Sequence, residues 1–105
     1  MQNEITVQEL KKRMDEGENL SLLDVREADE REFASIGGQF IPLSAFGARF
    51  TELDPESELI VYCHHGSRSQ SVVNFLMQKG FKNVKNLVGG IDAWSVLIDR
   101  TVKRY

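Results

Sequence analysis

The residue with the most distinctive chemistry in this chain is its single cysteine, Cys63. It directly follows the short apolar run 59–62 and precedes a small polar loop made of His64, His65, Gly66, Ser67, Arg68 and Ser69. A thiol at the carboxyl end of a strand, just before a helix, can have its anion stabilised by backbone N–H groups. The placement therefore predicts that Cys63 is a nucleophile and the catalytic residue.

The loop must favour the thiolate, because an ordinary cysteine is only about 3% ionised at neutral pH. Making most of a thiol anionic takes about 2.7 kcal/mol of differential stabilisation. A helix N-terminus usually supplies about 0.3 to 1 kcal/mol and at most about 2 kcal/mol. We assign the remainder to the loop amides and to Arg68, whose guanidinium is permanently charged. The whole loop from His64 to Ser69 is therefore predicted to bind the substrate.

The loop residues also have simpler interpretations. A lone cysteine after an apolar strand is often a small buried hydrophobic residue, and Ser67 and Ser69 can be helix caps. The adjacent imidazoles of His64 and His65 cannot readily surround one tetrahedral ion, and the sequence has no second cluster of ligands. We therefore predict no metal and no cofactor. These histidines either contribute N–H donors or steer an anionic ligand to the mouth of the loop, or they are ordinary solvent-exposed loop residues.

Composition limits the class of protein. The 105 residues carry a formal net charge of -3, which argues against nucleic-acid binding. No stretch approaches the roughly 18 apolar residues of a membrane span, and residues 1–4 lack the features of a secretion signal. A single cysteine allows no internal disulfide, which agrees with a reducing compartment. We expect one cytoplasmic domain, residues 1–105, without nucleic-acid or membrane partners.

Helical and strand patterns alternate along the chain. Thr6 and Glu9 form a capping box at the start of an amphipathic helix that ends at Gly17. The later elements are predicted in this order: strand 20–25, helix 27–35, strand 40–41, helix 45–50, strand 59–62, helix 67–79, strand 84–88 and helix 91–98. The alternation predicts an α/β fold, with a doubly wound, mainly parallel sheet and helices on both faces.

Two loops are expected to meet at one edge of this sheet, because open α/β sheets bind ligands at the carboxyl ends of their strands. One is the segment from Asp24 to Arg26, and the other is the loop that begins at Cys63. We predict that Asp24 and Arg26 form a structural ion pair or turn that holds the rim of the site, in preference to a catalytic role. The acidic residues that follow are interpreted as a solvated helix face or a partner contact; they are Glu27, Asp29, Glu30 and Glu32.

Three segments together resemble the signature regions of a single-domain rhodanese, a family of sulfurtransferases. They are residues 22–26 (LLDVR) with Glu32 and Phe33, the loop that begins with Tyr62 and Cys63, and residues 87–94 (LVGGIDAW). Each piece is common by chance, whereas three in order at family-like spacing are specific. The resemblance implies a rhodanese-like α/β fold and a cysteine that takes a sulfane sulfur from a donor such as thiosulfate. The resulting persulfide passes its sulfur to cyanide or another thiophilic acceptor.

The segment before Pro42 departs from the usual family pattern. Many members have a longer segment resembling GHIPGA, whereas residues 36–43 here are IGGQFIPL. This short form and the ending 98–105 are similar to the rhodanese domains at the carboxyl end of ubiquitin-activating-like enzymes of molybdopterin biosynthesis and tRNA thiolation. The similarity implies a sulfur-carrier or persulfide-donor protein as a partner, besides a small anionic sulfur donor. It leaves open whether the chain is a whole gene product or an excised domain.

Two other functions compete with sulfur transfer. Dual-specificity phosphatases share the architecture, but their loop has five residues between cysteine and arginine, whereas four separate Cys63 from Arg68. A tighter ring of amides suits one sulfur atom better than a phosphate, so phosphatase or arsenate reductase activity is disfavoured. The main alternative is a catalytically inactive rhodanese-like interaction module, although such modules commonly lack the cysteine. We therefore predict an enzyme of the thiosulfate sulfurtransferase type.

Overall fold

The fold is built around one parallel sheet. The computed structural model describes residues 3–105. Within that range five strands lie in the order β1-β5-β4-β2-β3, with all neighbours parallel. The strands are β1 (Glu4–Ile5), β2 (Ser21–Asp24), β3 (Gln39–Phe40), β4 (Leu59–Tyr62) and β5 (Val84–Leu87). Since connections between parallel strands must cross over the sheet, helices are expected to cover it.

Helices form these connections. They are α1 (Val7–Asp15), α2 (Ala28–Phe33), α3 (Leu43–Arg49), α4 (Ser67–Gln78) and α5 (Gly90–Leu97), with a 3-10 turn at Phe50–Glu52. None of the helices within residues 3–105 has the length and apolar character needed to cross a membrane. α1 starts as predicted, because Thr6 Oγ1 accepts the N–H of Glu9 at 3.1 Å and Glu9 Oε1 accepts the N–H of Thr6 at 3.0 Å. This capping box fixes the helix start locally.

Two hydrophobic clusters cover the two faces of the sheet. One packs α3 and α4 against the strands and contains Phe46, Val72 and Leu76. The other packs α1 and α5 and contains Leu10 and Trp94. All five side chains are buried, and burying an aliphatic or Phe side chain of this size contributes about 1.5 to 3 kcal/mol. The predicted α/β fold with helices on both faces is confirmed.

The strand order determines where the site lies. From β2 the chain crosses to β3 at one edge, whereas from β4 it crosses to β5 on the other side. The carboxyl ends of β2 and β4 are therefore neighbours from which the next connections diverge, and α/β sheets bind ligands at such points. Asp24 at the end of β2 is in register with Tyr62 at the end of β4. The two loops that were expected at one edge of the sheet are thus adjacent.

Sequence analysis misses one strand and misplaces two helix boundaries by two residues each. β1 is only two residues long and pairs with β5 alone, so it shows none of the alternation that identifies a longer strand. α2 ends at Phe33 because Ala34 is already extended, whereas the prediction ran to residue 35. α3 begins at Leu43, two residues earlier than predicted, directly after Pro42, whose fixed φ angle suits a helix start.

Candidate active site

A tight loop joins β4 to α4 and carries the predicted nucleophile. Cys63 follows the last residue of β4, and Gly66 precedes the first residue of α4, Ser67. The φ angle of Gly66 is 111°, a conformation that residues with a Cβ rarely adopt. Glycine therefore lets the chain turn into the helix and aims its first N–H groups back toward the cysteine. The simpler interpretation of the two serines as helix caps is wrong, because Gly66 caps α4; Ser67 is exposed and Ser69 lies inside the helix.

The sulfur of Cys63 is surrounded by polar groups. The N–H groups of Gly66 and Ser69 donate to Sγ at 3.2 and 3.3 Å, and the hydroxyl oxygen of Ser69 lies 3.2 Å from it. Hydrogen bonds to an anion are stronger than those to a neutral acceptor, so the two amides favour a thiolate or a persulfide anion. A cysteine that served only as a small hydrophobic residue would have no need of them.

Cys63 is also fully buried, with no exposed surface, and belongs to the same hydrophobic cluster as Val72. Exclusion of water strengthens the amide–sulfur interactions. A donor can react only when its own sulfur touches Sγ. A reagent can therefore reach Sγ only if some group around the loop moves.

A side-chain network supports the loop from the neighbouring strand. The hydroxyl of Ser69 donates to Oδ1 of Asn86 at 2.5 Å, and Nδ2 of Asn86 donates to the carbonyl of Gly66 at 3.1 Å and to Oε1 of Gln70 at 3.3 Å. Asn86 lies in β5 and is only 6% exposed. One buried amide thereby contacts both residues whose N–H groups face the sulfur.

Arg68 is bonded to a carboxylate of α2. Its Nη1 and Nη2 donate to the two carboxylate oxygens of Glu30 at 2.7 and 2.8 Å. This bidentate pair lowers the pKa of Glu30 to about 2 and raises the pKa of Arg68. The sequence-based expectation that the guanidinium holds the thiolate directly needs correction, because α2 brings Glu30 opposite Arg68 and its carboxylate accepts two of the five N–H groups. The positive charge of Arg68 still acts on Cys63 through space.

His64 is covered by an aromatic ring. Tyr105 stacks on it with ring centroids 3.8 Å apart and an interplanar angle of 8°, and the His65 ring lies 3.8 Å from the His64 ring. Burial, followed by the neighbouring imidazole, lowers the pKa of His64. Its Nε2 is buried and has no hydrogen-bond partner within residues 3–105. His65 is exposed, which agrees with its interpretation as an ordinary loop residue. Its Nε2 lies 3.8 Å from Oδ2 of Asp92.

His64, His65 and Asp92 offer three possible metal ligands whose atoms lie within 4.8 Å of one another. The two imidazole rings are tilted by only 32°, so their lone pairs, which lie in the ring planes, do not converge on the tetrahedral position that an ion needs. Asp92 is also paired with Arg104 at 2.9 Å. This geometry does not fit an ion. The absence of a bound metal stays a prediction.

Asp24 and Arg26 form a fully buried ion pair beside the loop. Nε and Nη2 of Arg26 donate to the two carboxylate oxygens at 2.9 and 2.8 Å, and both side chains are 0% exposed. Arg26 also donates to the carbonyl of Ala34 at 2.7 Å and to the hydroxyl of Tyr105 at 3.0 Å. The hydroxyl of Tyr62 donates to the carbonyl of Gly37 at 2.9 Å and lies 3.3 Å from Oδ2 of Asp24. This is the geometry of a structural pair that ties the end of β2 to β4.

The start of α5 supports the loop through backbone contacts. The N–H groups of Ile91 and Asp92 donate to the carbonyls of Cys63 and His64 at 3.0 and 3.1 Å. Gly90 has a φ angle of 60°, and a Cβ there would lie 2.5 Å from both of those carbonyl oxygens. Only glycine permits this approach. The segment 87–94, singled out in the sequence, therefore holds the loop that begins at Cys63 in place.

Three residues of the site escape sequence analysis: Glu30, Asn86 and Tyr105. Glu30 was expected on a solvated helix face or at a partner contact, and only the packing of α2 beside α4 reveals its pairing. Asn86 has a usable signal, because it shares a strand face with Val84 and is thus a polar residue at a buried position. Tyr105 has no local signal, since its contacts with His64 and Arg26 are distant in sequence.

Comparison with known proteins establishes the family. A family model for the rhodanese-like domain matches residues 6–97 of the chain. A crystal structure of a rhodanese-like domain protein from Staphylococcus aureus has a TM-score of 0.83 and 25% identity, covering 98% of each chain. The chain therefore belongs to the rhodanese-like domain family, as its three signature segments predicted.

Its relatives include short and long proteins. It is 36% identical to Thiosulfate sulfurtransferase GlpE of Haemophilus influenzae, covering 87% of this chain and 86% of that protein. It is 39% identical to YrkF of Bacillus subtilis, provisionally named a sulfur carrier protein, and the match covers 88% of this chain and 50% of that protein. It is 42% identical to Adenylyltransferase and sulfurtransferase MOCS3-2 of Zea mays, and the match covers 90% of this chain and 21% of that protein. The chain thus spans half or less of several curated relatives and most of others.

Proposed function

We propose that this protein is a sulfurtransferase that carries a sulfane sulfur on Cys63. The donor is thiosulfate or a persulfide, and the acceptor is cyanide in vitro and a sulfur-carrier protein in the cell. One observation carries the proposal: the N–H groups of Gly66 and Ser69 point at a lone sulfur from 3.2 and 3.3 Å. A cytoplasmic setting belongs to the same proposal, because a thiol that must stay reduced suits a reducing compartment.

In the first half-reaction the Cys63 thiolate attacks the outer sulfur of thiosulfate. A bond forms between Sγ and that sulfur, the S–S bond of thiosulfate breaks, and sulfite leaves with the electron pair. Cys63 then carries a persulfide anion. The loop amides are already oriented toward the reacting sulfur, so they stabilise the anion without reorganising and the step needs no general base.

In the second half-reaction the acceptor removes the terminal sulfur. Cyanide attacks that sulfur through carbon, the persulfide S–S bond breaks, and thiocyanate forms while the electron pair returns to Sγ. The leaving group is the Cys63 thiolate, which the amides of Gly66 and Ser69 stabilise. The same hydrogen bonds therefore serve both half-reactions, and one side chain performs all of the covalent chemistry.

The charges around the loop favour a protein partner over a small dianion. Three arginines lie near the loop, and each is paired within the described residues: Arg68 with Glu30, Arg26 with Asp24, and Arg104 with Asp92. Paired cations attract a free dianion weakly. A protein-bound persulfide can be positioned by surface contacts and does not depend on such attraction. The names of YrkF and MOCS3-2 are consistent with sulfur exchange between proteins.

Mass spectrometry of the intact protein tests the proposal. After incubation with thiosulfate, we expect an added mass of about 32 Da on Cys63 that cyanide removes. The matched control is Cys63→Ser, which should fold, gain no mass and lose sulfur transfer. Substantial thiosulfate:cyanide activity in Cys63→Ser would end the proposal.

The alternative function is an inactive interaction module, and the full burial of Cys63 favours it. A module of this kind needs no access to the sulfur. It predicts no added mass with thiosulfate or with a small persulfide donor, under conditions in which denatured protein still reacts with iodoacetamide. The same experiment therefore separates the two functions.

A further inference from the structure

We propose that Asn86 is a positioning residue that controls ionisation of the Cys63 thiol through the hydroxyl of Ser69. Asn86 does not contact the sulfur. It contacts the hydroxyl that does, from a neighbouring strand. The inference deepens the proposed function, but its main readout is the ionisation of the thiol and does not require catalysis.

The direction of each hydrogen bond follows from the amide of Asn86. A backbone carbonyl only accepts, so the Asn86 atom 3.1 Å from the carbonyl oxygen of Gly66 is Nδ2. Oδ1 then faces Ser69, and because Oδ1 carries no hydrogen, the Ser69 hydroxyl must donate to it. A hydroxyl has one hydrogen. Ser69 Oγ therefore presents only lone pairs to Sγ of Cys63, 3.2 Å away.

Donation of the Ser69 hydroxyl hydrogen to Asn86 favours the protonated form of the Cys63 thiol. The S–H group can donate to the lone pairs of Ser69 Oγ, whereas a thiolate facing them is repelled. When the thiol ionises, its proton goes to solvent and the hydroxyl gains by rotating toward the sulfur. Oδ1 of Asn86 then loses its donor, and an unpaired buried acceptor is unfavourable. Asn86 and the thiolate thus compete for one hydroxyl hydrogen, and the amides of Gly66 and Ser69 hold the anion.

Other ionisable groups surround the loop and should stay in place when Asn86 is changed. No hydrogen bond joins Asn86 to any of them within residues 3–105. By element, they are Arg68 of α4 paired with Glu30 of α2, Asp24 of β2 paired with Arg26, Asp92 of α5 paired with Arg104, and the loop residues His64 and His65. A shift in thiol ionisation on substitution of Asn86 is therefore assigned to the hydroxyl contact.

Two substitutions of opposite expected sign test the inference, with iodoacetamide alkylation of the native protein measured against pH. Asn86→Ala releases the hydroxyl to the thiolate, so the midpoint of the alkylation profile should fall by about half to one pH unit. Asn86→Asp places a carboxylate against the hydroxyl, so the midpoint should rise. Both variants lose the hydrogen bond to Gly66, and a loosened loop alone would move both midpoints in one direction.

The Ser69→Ala background shows whether the effect passes through the hydroxyl. In that background Asn86→Ala should no longer shift the midpoint, because no hydroxyl hydrogen remains to be released. A persisting shift, shifts of the same sign for Ala and Asp, or no shift at all would overturn the inference. If Asn86→Ala does not unfold cooperatively in urea, Asn86→Ser is used in its place. The short serine side chain cannot reach Ser69, so the same fall in the alkylation midpoint is expected.

The thiosulfate adduct separates failure of this inference from failure of the proposed function. An unshifted Asn86→Ala variant that still gains about 32 Da overturns the role of Asn86 and leaves sulfur transfer intact. A wild-type protein that gains no mass overturns sulfur transfer. The alkylation midpoints of the variants then still decide whether Asn86 acts on the thiol.

Discussion

Arg68 and Glu30 form a bidentate ion pair between α4 and α2, with N–O distances of 2.7 and 2.8 Å. The pair neutralises the charge of the guanidinium, which sequence analysis predicted to bind the substrate. On the proposed function, the carboxylate of Glu30 should therefore oppose the binding of thiosulfate. It does not oppose a donor that presents its sulfur through protein contacts.

We expect Glu30→Gln to raise kcat/KM for thiosulfate, by about three- to tenfold, because it frees the charge of Arg68 for the dianion. Glutamine retains an oxygen that can accept the N–H of Glu27, as Glu30 does at 3.1 Å, so α2 should keep its start. Arg68→Ala should have the opposite effect on kcat/KM. Steady-state kinetics with thiosulfate and cyanide measure both.

Glu58→Gln is the matched control for charge. Glu58 is paired with Arg13 and Lys85 at the other end of the sheet, and these pairs lower its pKa to about 2. Its substitution removes the same charge and should leave kcat/KM unchanged. Equal rises in kcat/KM for Glu30→Gln and Glu58→Gln would show that the net charge of the protein, and not the pairing of Arg68, limits the reaction with thiosulfate.

Stability at low pH should depend on Glu30. Its hydrogen bonds with Arg68 lower its pKa to about 2, from an ordinary value of 4.5. A carboxyl whose pKa is lower in the folded state stabilises the fold above the unfolded pKa, and the contribution is lost as pH falls toward the folded pKa. We expect wild type to lose about 1 to 2 kcal/mol from this group between pH 4.5 and 2, after screening.

Urea unfolding at several pH values checks this expectation. Glu30→Gln should be less stable than wild type at pH 7, and the difference should disappear near pH 2. A difference that stays constant over this pH range would mean that the ionised pair contributes nothing.

Gly90→Ala should disrupt the site far more than Gly17→Ala. Its Cβ would lie 2.5 Å from the carbonyl oxygens of Cys63 and His64, and backbone cannot yield as a flexible side chain does. We expect a loss of about 3 kcal/mol or more in unfolding free energy, together with loss of sulfur transfer. Gly17→Ala is the control, since Gly17 also has positive φ, 82°, but has nothing within 4 Å of the added Cβ. It should cost only about 1 kcal/mol and leave activity unchanged.

How much of the site the sequence predicts depends on how local each interaction is. The loop from Cys63 to Ser69 was predicted because an apolar strand, a glycine and an amphipathic helix adjoin in sequence. The pairing of Arg68 with Glu30 could not be predicted from the sequence, since strand order alone brings α2 beside α4. Asn86 lies between these cases. Its polar side chain at a buried strand position is visible in the sequence, but the identity of its partner is not.

Arg26 should contribute strongly to stability and be dispensable for the chemical step. It is fully buried and paired with Asp24, and removing one member of a buried pair typically costs about 3 to 5 kcal/mol. Arg26→Ala should therefore unfold at much lower urea concentration. Arg26→Lys keeps the charge but loses the fork of donors, so an intermediate loss is expected. At a temperature where the lysine variant is folded, its kcat should remain near wild type; a loss of more than about tenfold would show that Arg26 takes part in catalysis.

Tyr105 should control both the ionisation of His64 and access to Cys63. Its ring stacks on His64 at 3.8 Å, while its hydroxyl accepts from Arg26 at 3.0 Å and donates to Glu30 at 2.8 Å. Burial is the main cause of the lowered pKa of His64. Tyr105→Ala should therefore raise this pKa toward its ordinary value and speed the alkylation of Cys63.

Tyr105→Phe separates the two contributions, because it keeps the stacked ring and removes only the hydroxyl. Titration of the His64 ring protons by NMR should show a clear rise in pKa for the alanine variant and little change for the phenylalanine variant. Alkylation rates at fixed pH should follow the same order if the ring restricts access to the sulfur. Equal alkylation rates in wild type and Tyr105→Ala would show that access to Cys63 is controlled elsewhere, and the loop residues themselves would then have to move to admit the donor.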